Sequence, residues 1–517
     1  MALTRIEKGR CLAVLAVLTI CQFLTSGVAA QTWRLEPGAR ATITATSNSG
    51  FANSADSGSD VILEVIPRVS LTGRSARFKV DGAVEADSVS YARNTITNQF
   101  IPKASLTANA NAVERWVYLD AAAQFEQATA NPFSAASNAT LPSARQQATQ
   151  YRLSPYLDHA FTPTVSLLYR NDNVWTRVAS NLSASATHAT TERHAHFLTF
   201  TQQPVPFGYA LEASQEATDY SGTVDSKVEL ASARAVLTYA VDPTLILGGV
   251  AGAERNRIAA STSSDTIRGL RLRWRPTERS DLDASAERRF FGNGWNVAWS
   301  HRSPFMAMNF SATKQPASQP SSIFLTNTGG DLRRLIDEAY TTRFPNPVER
   351  ATVVDTAIAN LGTSTGTAGT SGPIAVFSDY AQLQRRAALS VAFLSPLSVL
   401  TFQLFAVESI QLQRPNAPAL PLPPINADNT QVGGSVILNR RLTSTLAVEA
   451  VLSGVKIEGL GSSLGQSSST KSAKLSALQA LSPKTRVLAG ARRQLSNSNV
   501  VRPVQETAVF FGIEHKF

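Results

Sequence analysis

Short segments in which apolar and polar residues alternate recur along almost the whole chain, and this period of two decides the class of fold. Leu270, Leu272 and Trp274 alternate with Arg271, Arg273 and Arg275. Val165, Leu167 and Tyr169 alternate with Ser166, Leu168 and Arg170. Ala233, Ala235, Leu237 and Tyr239 alternate with Arg234, Val236 and Thr238. Trp295, Val297 and Trp299 do the same with Asn296, Ala298 and Ser300, and Leu400, Phe402 and Leu404 with Thr401 and Gln403. A strand points successive side chains to opposite faces, so each segment has one face that is mostly apolar. A segment length of about 9–12 residues suits a tilted strand crossing a bilayer.

Two kinds of break separate the segments. Short ones often hold Pro: Thr162-Pro163, Asp242-Pro243, Pro276, Ser303-Pro304, Ser395-Pro396 and Ser482-Pro483. Proline presets a turn and cannot donate within a paired strand. Longer breaks are rich in Ser, Asn, Gly and Ala, as over 46–60, 130–146, 259–265, 415–429 and 459–469. Short turns on one rim and long loops on the other predict an all-β, transmembrane, antiparallel up-and-down β-barrel. The breaks give about 22 strands, within a range of about 16–22, and both termini fall on the short-turn rim. A large soluble sandwich is the alternative; a propeller would repeat similar residues in each blade, and no such repeat is visible.

The first thirty residues read as a secretory signal. Arg5, Lys8 and Arg10 precede an apolar run from Cys11 to Leu24, and Val28 and Ala30 suit cleavage before Gln31. This divides the chain into a signal peptide at 1–30 and a barrel at 31–517. Both cysteines, Cys11 and Cys21, lie in the leader, which leaves the mature chain without thiol chemistry. At the other end, Val509, Phe511, Ile513 and the terminal Phe517 sit on a strand pattern with no tail. This stretch resembles the C-terminal strand that the outer-membrane barrel-assembly machinery reads, with His515 as a departure from the usual apolar residue or Tyr.

The formal net charge is +10, of which the leader's three basic residues and one acidic residue hold +2, leaving +8. For an exported chain this points to outer-membrane lipid, lipopolysaccharide or acidic polysaccharide as partners, and not to nucleic acid. If the apolar parity meets lipid, Arg271, Arg273, Arg275, Arg234 and Arg170 face the lumen, with Arg385 or Arg386. An arginine facing lipid at the midplane would cost about 2–4 kcal/mol. Such residues either favour anionic solutes or only brace the wall against Glu287, Asp283 and Glu408. Trp33, Trp116, Tyr118, Tyr151, Tyr156, Tyr169, Trp175, Trp274, Trp295 and Trp299 recur near segment ends and suit interfacial girdles.

Catalytic chemistry leaves little trace. His194 and His196 with Glu192 lack a third metal ligand. Gly459 to Gly465 lacks the strand-helix context of a dinucleotide loop. No phosphate-binding loop of the Walker type occurs, and the expectation is a protein that is not an enzyme and takes no cofactor or metal. A long insert breaks the strand pattern at about 314–377. Asp331 to Tyr340 carries Leu332, Leu335, Ile336 and Ala339 at helical spacing, and Asn346-Pro347 looks like a second helix start. The expectation is a partly helical loop that either constricts the lumen or lies on the surface.

Arg115-Trp-Val-Tyr-Leu-Asp-Ala121, Asn131-Pro-Phe-Ser134 and Tyr151-Arg-Leu-Ser-Pro-Tyr156 follow one another in an order that resembles the PEP-CTERM-system-associated outer-membrane β-barrel family. That family groups with the type 2 β-barrel porins found beside exopolysaccharide genes. Trp299 to Ser303 and Phe344 to Arg350 fit the same pattern. The resemblance implies a porin-like barrel of the Gram-negative outer membrane, tied to exopolysaccharide biosynthesis or export, with polysaccharide-export proteins as partners. A general diffusion porin for small solutes and an outer-membrane enzyme remain alternatives. A TonB-dependent receptor is not expected, because no plug domain is seen before Trp33.

Overall fold

The computed structural model describes residues 32–517, leaving aside 50–57, 94–96, 130–144 except Phe133, 180–187, 222–225, 259–260, 318–379 except eight positions, 413–427 and 500–502. The leader read at 1–30 lies outside the described residues. The strands are β1 (Thr32–Thr46), β2 (Asp60–Arg74), β3 (Phe78–Tyr91), β4 (Gln99–Val113), β5 (Val117–Thr129), β6 (Arg145–Ala160), β7 (Val165–Ala179) and β8 (His188–Gln202). They continue with β9 (Phe207–Ser221), β10 (Ser226–Asp242), β11 (Leu245–Ile258), β12 (Ser261–Thr277), β13 (Ser280–Arg289), β14 (Gly292–Ser303) and β15 (Met306–Ala317). The last are β16 (Gln382–Leu394), β17 (Ser398–Gln411), β18 (Asn429–Arg441), β19 (Leu446–Gly459), β20 (Ser467–Ala480), β21 (Thr485–Ser498) and β22 (Val504–Lys516).

Each strand pairs antiparallel with its neighbours in sequence, and β1 pairs with β22, so the 22-stranded sheet closes on itself. Closure removes every sheet edge, which hydrocarbon could not solvate. At the seam Ile43 stands opposite Phe511 and Ala41 opposite Ile513. The Thr46 hydroxyl and the Arg492 guanidinium both donate to Glu506 Oε1 at 2.9 Å, tying β1, β21 and β22 together on the inner side.

The apolar parity is the outer one. Leu237 is 72% exposed and Leu270 71%, while Val236, next to the first, and Ile267, three positions before the second, are buried. The same alternation holds at Val509, Phe511 and Ile513 on β22, all exposed, with Ala508 buried. Each exposed alkyl group removed from water contributes roughly 25 cal/mol per Å², so this belt needs an apolar solvent.

At one rim the connections are all short turns, and the long loops lie at the other together with the two-residue β13–β14 turn. Several at the first rim begin with a side chain that caps the turn: Asp242 Oδ1 accepts from the Thr244 and Leu245 N–H groups, and Ser482 Oγ from those of Lys484 and Thr485. These Asx and Ser turns, followed by Pro, explain why the short breaks were readable. Strands run from 10 to 17 residues, longer than a bilayer requires. That length explains two differences from expectation. Ser261 to Asp265 and Ser467 to Ser469 have loop composition, yet they pair as the outer ends of β12 and β20. Beyond the hydrocarbon both faces of a strand meet water, so polarity no longer marks a loop there.

The insert departs from expectation as well. Lys314 to Ala317 belong to β15, and β16 resumes only at Gln382. Helical backbone occurs at Ile336, Asp337, Tyr340, Arg350, Ala351 and Val354, and no long helix is seen among the described residues.

Candidate functional site in the barrel interior

On the concave face, side chains from strands that are not neighbours can meet; on the convex face they diverge. Arg271 of β12 reaches Glu212 of β9, with Nη1–Oε1 and Nη2–Oε2 distances of 2.5 and 2.7 Å. The bidentate fork matches the planar guanidinium to the carboxylate. Gly248 stands opposite Arg271 in β11 and puts no side chain of its own beside it. Glu287 of β13 extends the network, 3.1 Å from Arg234 Nε and 3.6 Å from Arg271 Nη2. Arg273 meets Asp283 at 3.2 Å, and Arg275 meets Asp281 at 2.6 Å nearer the short-turn rim.

A second network lies on the strands before it. Arg170 bridges Asp120 and Asp172, both at 2.9 Å, and Arg152 reaches Asp172 at 3.0 Å. The Arg170 guanidinium also lies 5.0 Å from the Tyr156 ring centre, and Tyr156 stacks on Tyr118. These two tyrosines therefore stand inside the barrel, not in a girdle, whereas Trp116, Tyr151, Tyr169, Trp274 and Trp299 are exposed outside. Of the pair Arg385 and Arg386, Arg385 has the outer parity, and its partner Glu408 lies with it, not in the internal ladder, at 3.2 Å.

Three elements enter the interior from the wall or the loops. The β13–β14 turn carries Phe290 and Phe291 inward onto Tyr220 and Val228. Glu254 fixes it by accepting from the Phe290 N–H at 2.6 Å and from Arg289 at 2.8 Å. Gly292 follows with φ +96°, a left-handed value that a side chain would resist. Phe133, between β5 and β6, is fully buried against Phe405, Val407, Val455 and Ile457. The β17 and β19 residues that receive it stand far around the wall from β5 and β6.

The third element comes from the insert. Ile336 and Val354 are fully buried against Ala307, Ala392 and Leu394, with Tyr340 and Val399 packed beside them. Ala307 is near the start of β15, and Leu394 and Val399 flank the β16–β17 turn. The insert thus touches the inner wall beside the short-turn rim, the end opposite the one where its connection to the strands begins. Arg350 Nε donates to Asp337 Oδ1 at 3.0 Å and ties the two helical positions together.

The histidines singled out in sequence lie on the outer face. His194 hydrogen-bonds Asn173 at 2.8 Å, and His196 hydrogen-bonds Tyr169 at 3.0 Å. Among the described residues no group of three His, Cys, Asp or Glu could hold a metal. Ser280 and His301 are 2.7 Å apart, on the outer parity near Trp299 and away from the interior. Sequence reasoning missed Glu212 and Glu254, and it met Phe133 only within the Asn131-Pro-Phe-Ser134 stretch, not as an anchor. Their partners are distant in the chain, and an acidic residue on a polar parity carries no mark of its own.

The closed wall, the apolar outer belt and the polar, loop-entered interior define an outer-membrane-type β-barrel. Structures of similar fold agree. The FrpB iron transporter from Neisseria meningitidis (F5-1 variant) matches with a TM-score of 0.51 at 10% identity, over 93% of this chain and 82% of that one. Its F3-3 variant gives 0.50 at 10% identity over 96% and 83%. The siderophore receptor PirA from Pseudomonas aeruginosa matches more weakly, at 0.45 and 10% identity over 94% and 81%. No protein-family model matches the chain, and no curated protein matches it. The shared fold supports an outer-membrane location, and the PEP-CTERM-associated family is not confirmed.

Proposed function

We propose that this chain is a porin-like barrel of a Gram-negative outer membrane. It passes a hydrophilic cargo through a lumen narrowed by its own loops, and that cargo is an acidic exopolysaccharide. The observation that carries the reading is the burial of Ile336 and Val354 against the inner wall beside the short-turn rim. A loop held there by apolar contacts obstructs the route from one rim to the other, and its release opens it. The exopolysaccharide part rests on the stretches around Arg115, Asn131 and Tyr151 and on the basic balance of the chain. A cleaved leader and assembly by the barrel-assembly machinery belong to the same reading, in which the protein is not an enzyme.

General diffusion of small solutes is the second reading, and the ion pairs favour it. Arg271, Arg273, Arg275, Arg234 and Arg170 each have a carboxylate partner, which lowers their pull on a passing anion. Uptake of an iron compound, which the name of FrpB suggests for that protein, has only the fold behind it here. A deletion strain separates the first two readings. Loss of secreted polysaccharide, restored by the intact gene, supports export. Unchanged secretion with slower entry of small solutes supports the porin.

A further inference from the structure

We infer that the outer face of β12 and β13 holds a binding site for the phosphate of an outer-leaflet glycolipid, the lipid A part of lipopolysaccharide. The inference rests on the outer-membrane reading and names one lipid contact within it. Arg268 of β12 stands directly opposite Arg288 of β13 in the register. Both are exposed, and both have the outer parity: Leu270, two positions from Arg268, is 71% exposed, whereas Arg271 turns inward to Glu212. Among the described residues neither arginine has a carboxylate within ion-pairing distance.

Like charges directly opposite on adjacent strands destabilise the pair. Their Cα atoms are about 4.5–5.5 Å apart, close enough for one phosphate to accept from both guanidinium groups. The height on the wall fits a headgroup. One step toward the short-turn rim, the register row runs from Leu270 through Ala286 to Trp295, then Lys314, Arg385 and its partner Glu408. Tryptophan followed by basic side chains on the outer face is the signature of the membrane interface. Short turns mark the opposite rim as periplasmic, so this interface belongs to the outer leaflet. Arg255 of β11 is exposed on the same parity further out. A phospholipid has one phosphodiester; lipid A offers phosphate monoesters of higher charge, which the paired guanidinium groups select.

The test uses the full-length protein, folded in detergent and checked for a heat-modifiable band. A chain with no such band would overturn the barrel reading itself, before any lipid is added. Native mass spectrometry then counts retained lipid after incubation with bisphosphorylated lipid A, phosphate-free lipid A or phosphatidylglycerol. The expected result is retention of bisphosphorylated lipid A alone, with affinity reduced about tenfold in Arg268→Gln/Arg288→Gln. Addition of inorganic phosphate should not displace it at equal concentration. Equal retention of phosphate-free lipid A or of phosphatidylglycerol by the wild-type protein would overturn the site. So would undiminished binding by a folded double variant. The wild-type comparison decides even where that variant fails to fold.

Discussion

The Ser498 hydroxyl donates to the Phe133 carbonyl at 3.0 Å across 365 positions of sequence. Ser498 ends β21, and Phe133 lies in the connection that leaves β5, so this bond ties Phe133 to a strand far around the wall at the long-loop rim. The Phe133 side chain is the anchor, buried among Phe405, Val407, Val455 and Ile457. Phe133→Ala should cost the docked loop about 3–5 kcal/mol and leave the strand pairings intact. In planar bilayers the variant should open more often than wild type, with the same heat-modifiable mobility on a gel. Identical gating would show that this loop does not close the mouth.

Arg271 and Glu212 predict a double-mutant cycle. Each side chain is only partly exposed, and removing one leaves the other charge short of a partner. Arg271→Gln and Glu212→Gln should each lower the midpoint of urea unfolding in detergent, and the double variant should recover much of the loss. The coupling should be about 1–3 kcal/mol. A coupling near zero would mean that water screens the pair, as at an open surface.

Asp428 precedes β18 at the long-loop rim. It accepts a hydrogen bond from the Tyr380 hydroxyl at 3.0 Å, while its carbonyl accepts from the Leu460 N–H at 2.9 Å. Gly461, next in the chain, has φ +53°, and a Cβ there would press on the Asp428 carboxylate. Burial pushes the Asp428 carboxyl above its ordinary value, against the Tyr380 bond, which pulls it down. A raised carboxyl favours the folded rim when protonated: the stabilisation is complete below the ordinary carboxylate value and is lost as pH rises through the raised one. Amide exchange at Leu460 should therefore slow as pH falls from neutral into the carboxylate range, after correction for intrinsic rates. Asp428→Asn should abolish that dependence while keeping the hydrogen bond. A variant with the wild-type pH profile would contradict the assignment.

Phe517 closes the chain, with its N–H donating to the Pro37 carbonyl at 3.0 Å and its ring edge-on to His515. The ring itself is 67% exposed and adds little to packing. Phe517→Ala should therefore refold in detergent much like wild type, yet accumulate unassembled in cells. Equal assembly of both proteins in cells would remove Phe517 as a recognition signal.

How much of this was readable follows from how local each signal is. The parity of Leu270 against Arg271, or of Val509 against Ala508, is written in adjacent residues, so both strand identity and outer face could be read directly. Turn caps such as Asp242 and Ser482 are equally local. Tyr118 and Tyr156 misled because an aromatic near a strand end looks the same whether it meets lipid or stacks inside. Arg385 could not be told from Arg386, since a one-residue change of register exchanges the faces. The contacts of Phe133 and of Ile336 join distant segments and have no local signature, although Ile336 was picked out as part of an apolar helical stripe. Arg268 and Arg288 become a pair only when the β12–β13 register is known.

Single-channel conductance of the protein lacking Gly329 to Gly372 tests the central claim most directly, because this segment includes Ile336 and Val354. The account predicts a conductance several-fold above wild type, with an unchanged heat-modifiable barrel. A folded deletion variant that conducts no better than the intact protein would contradict it.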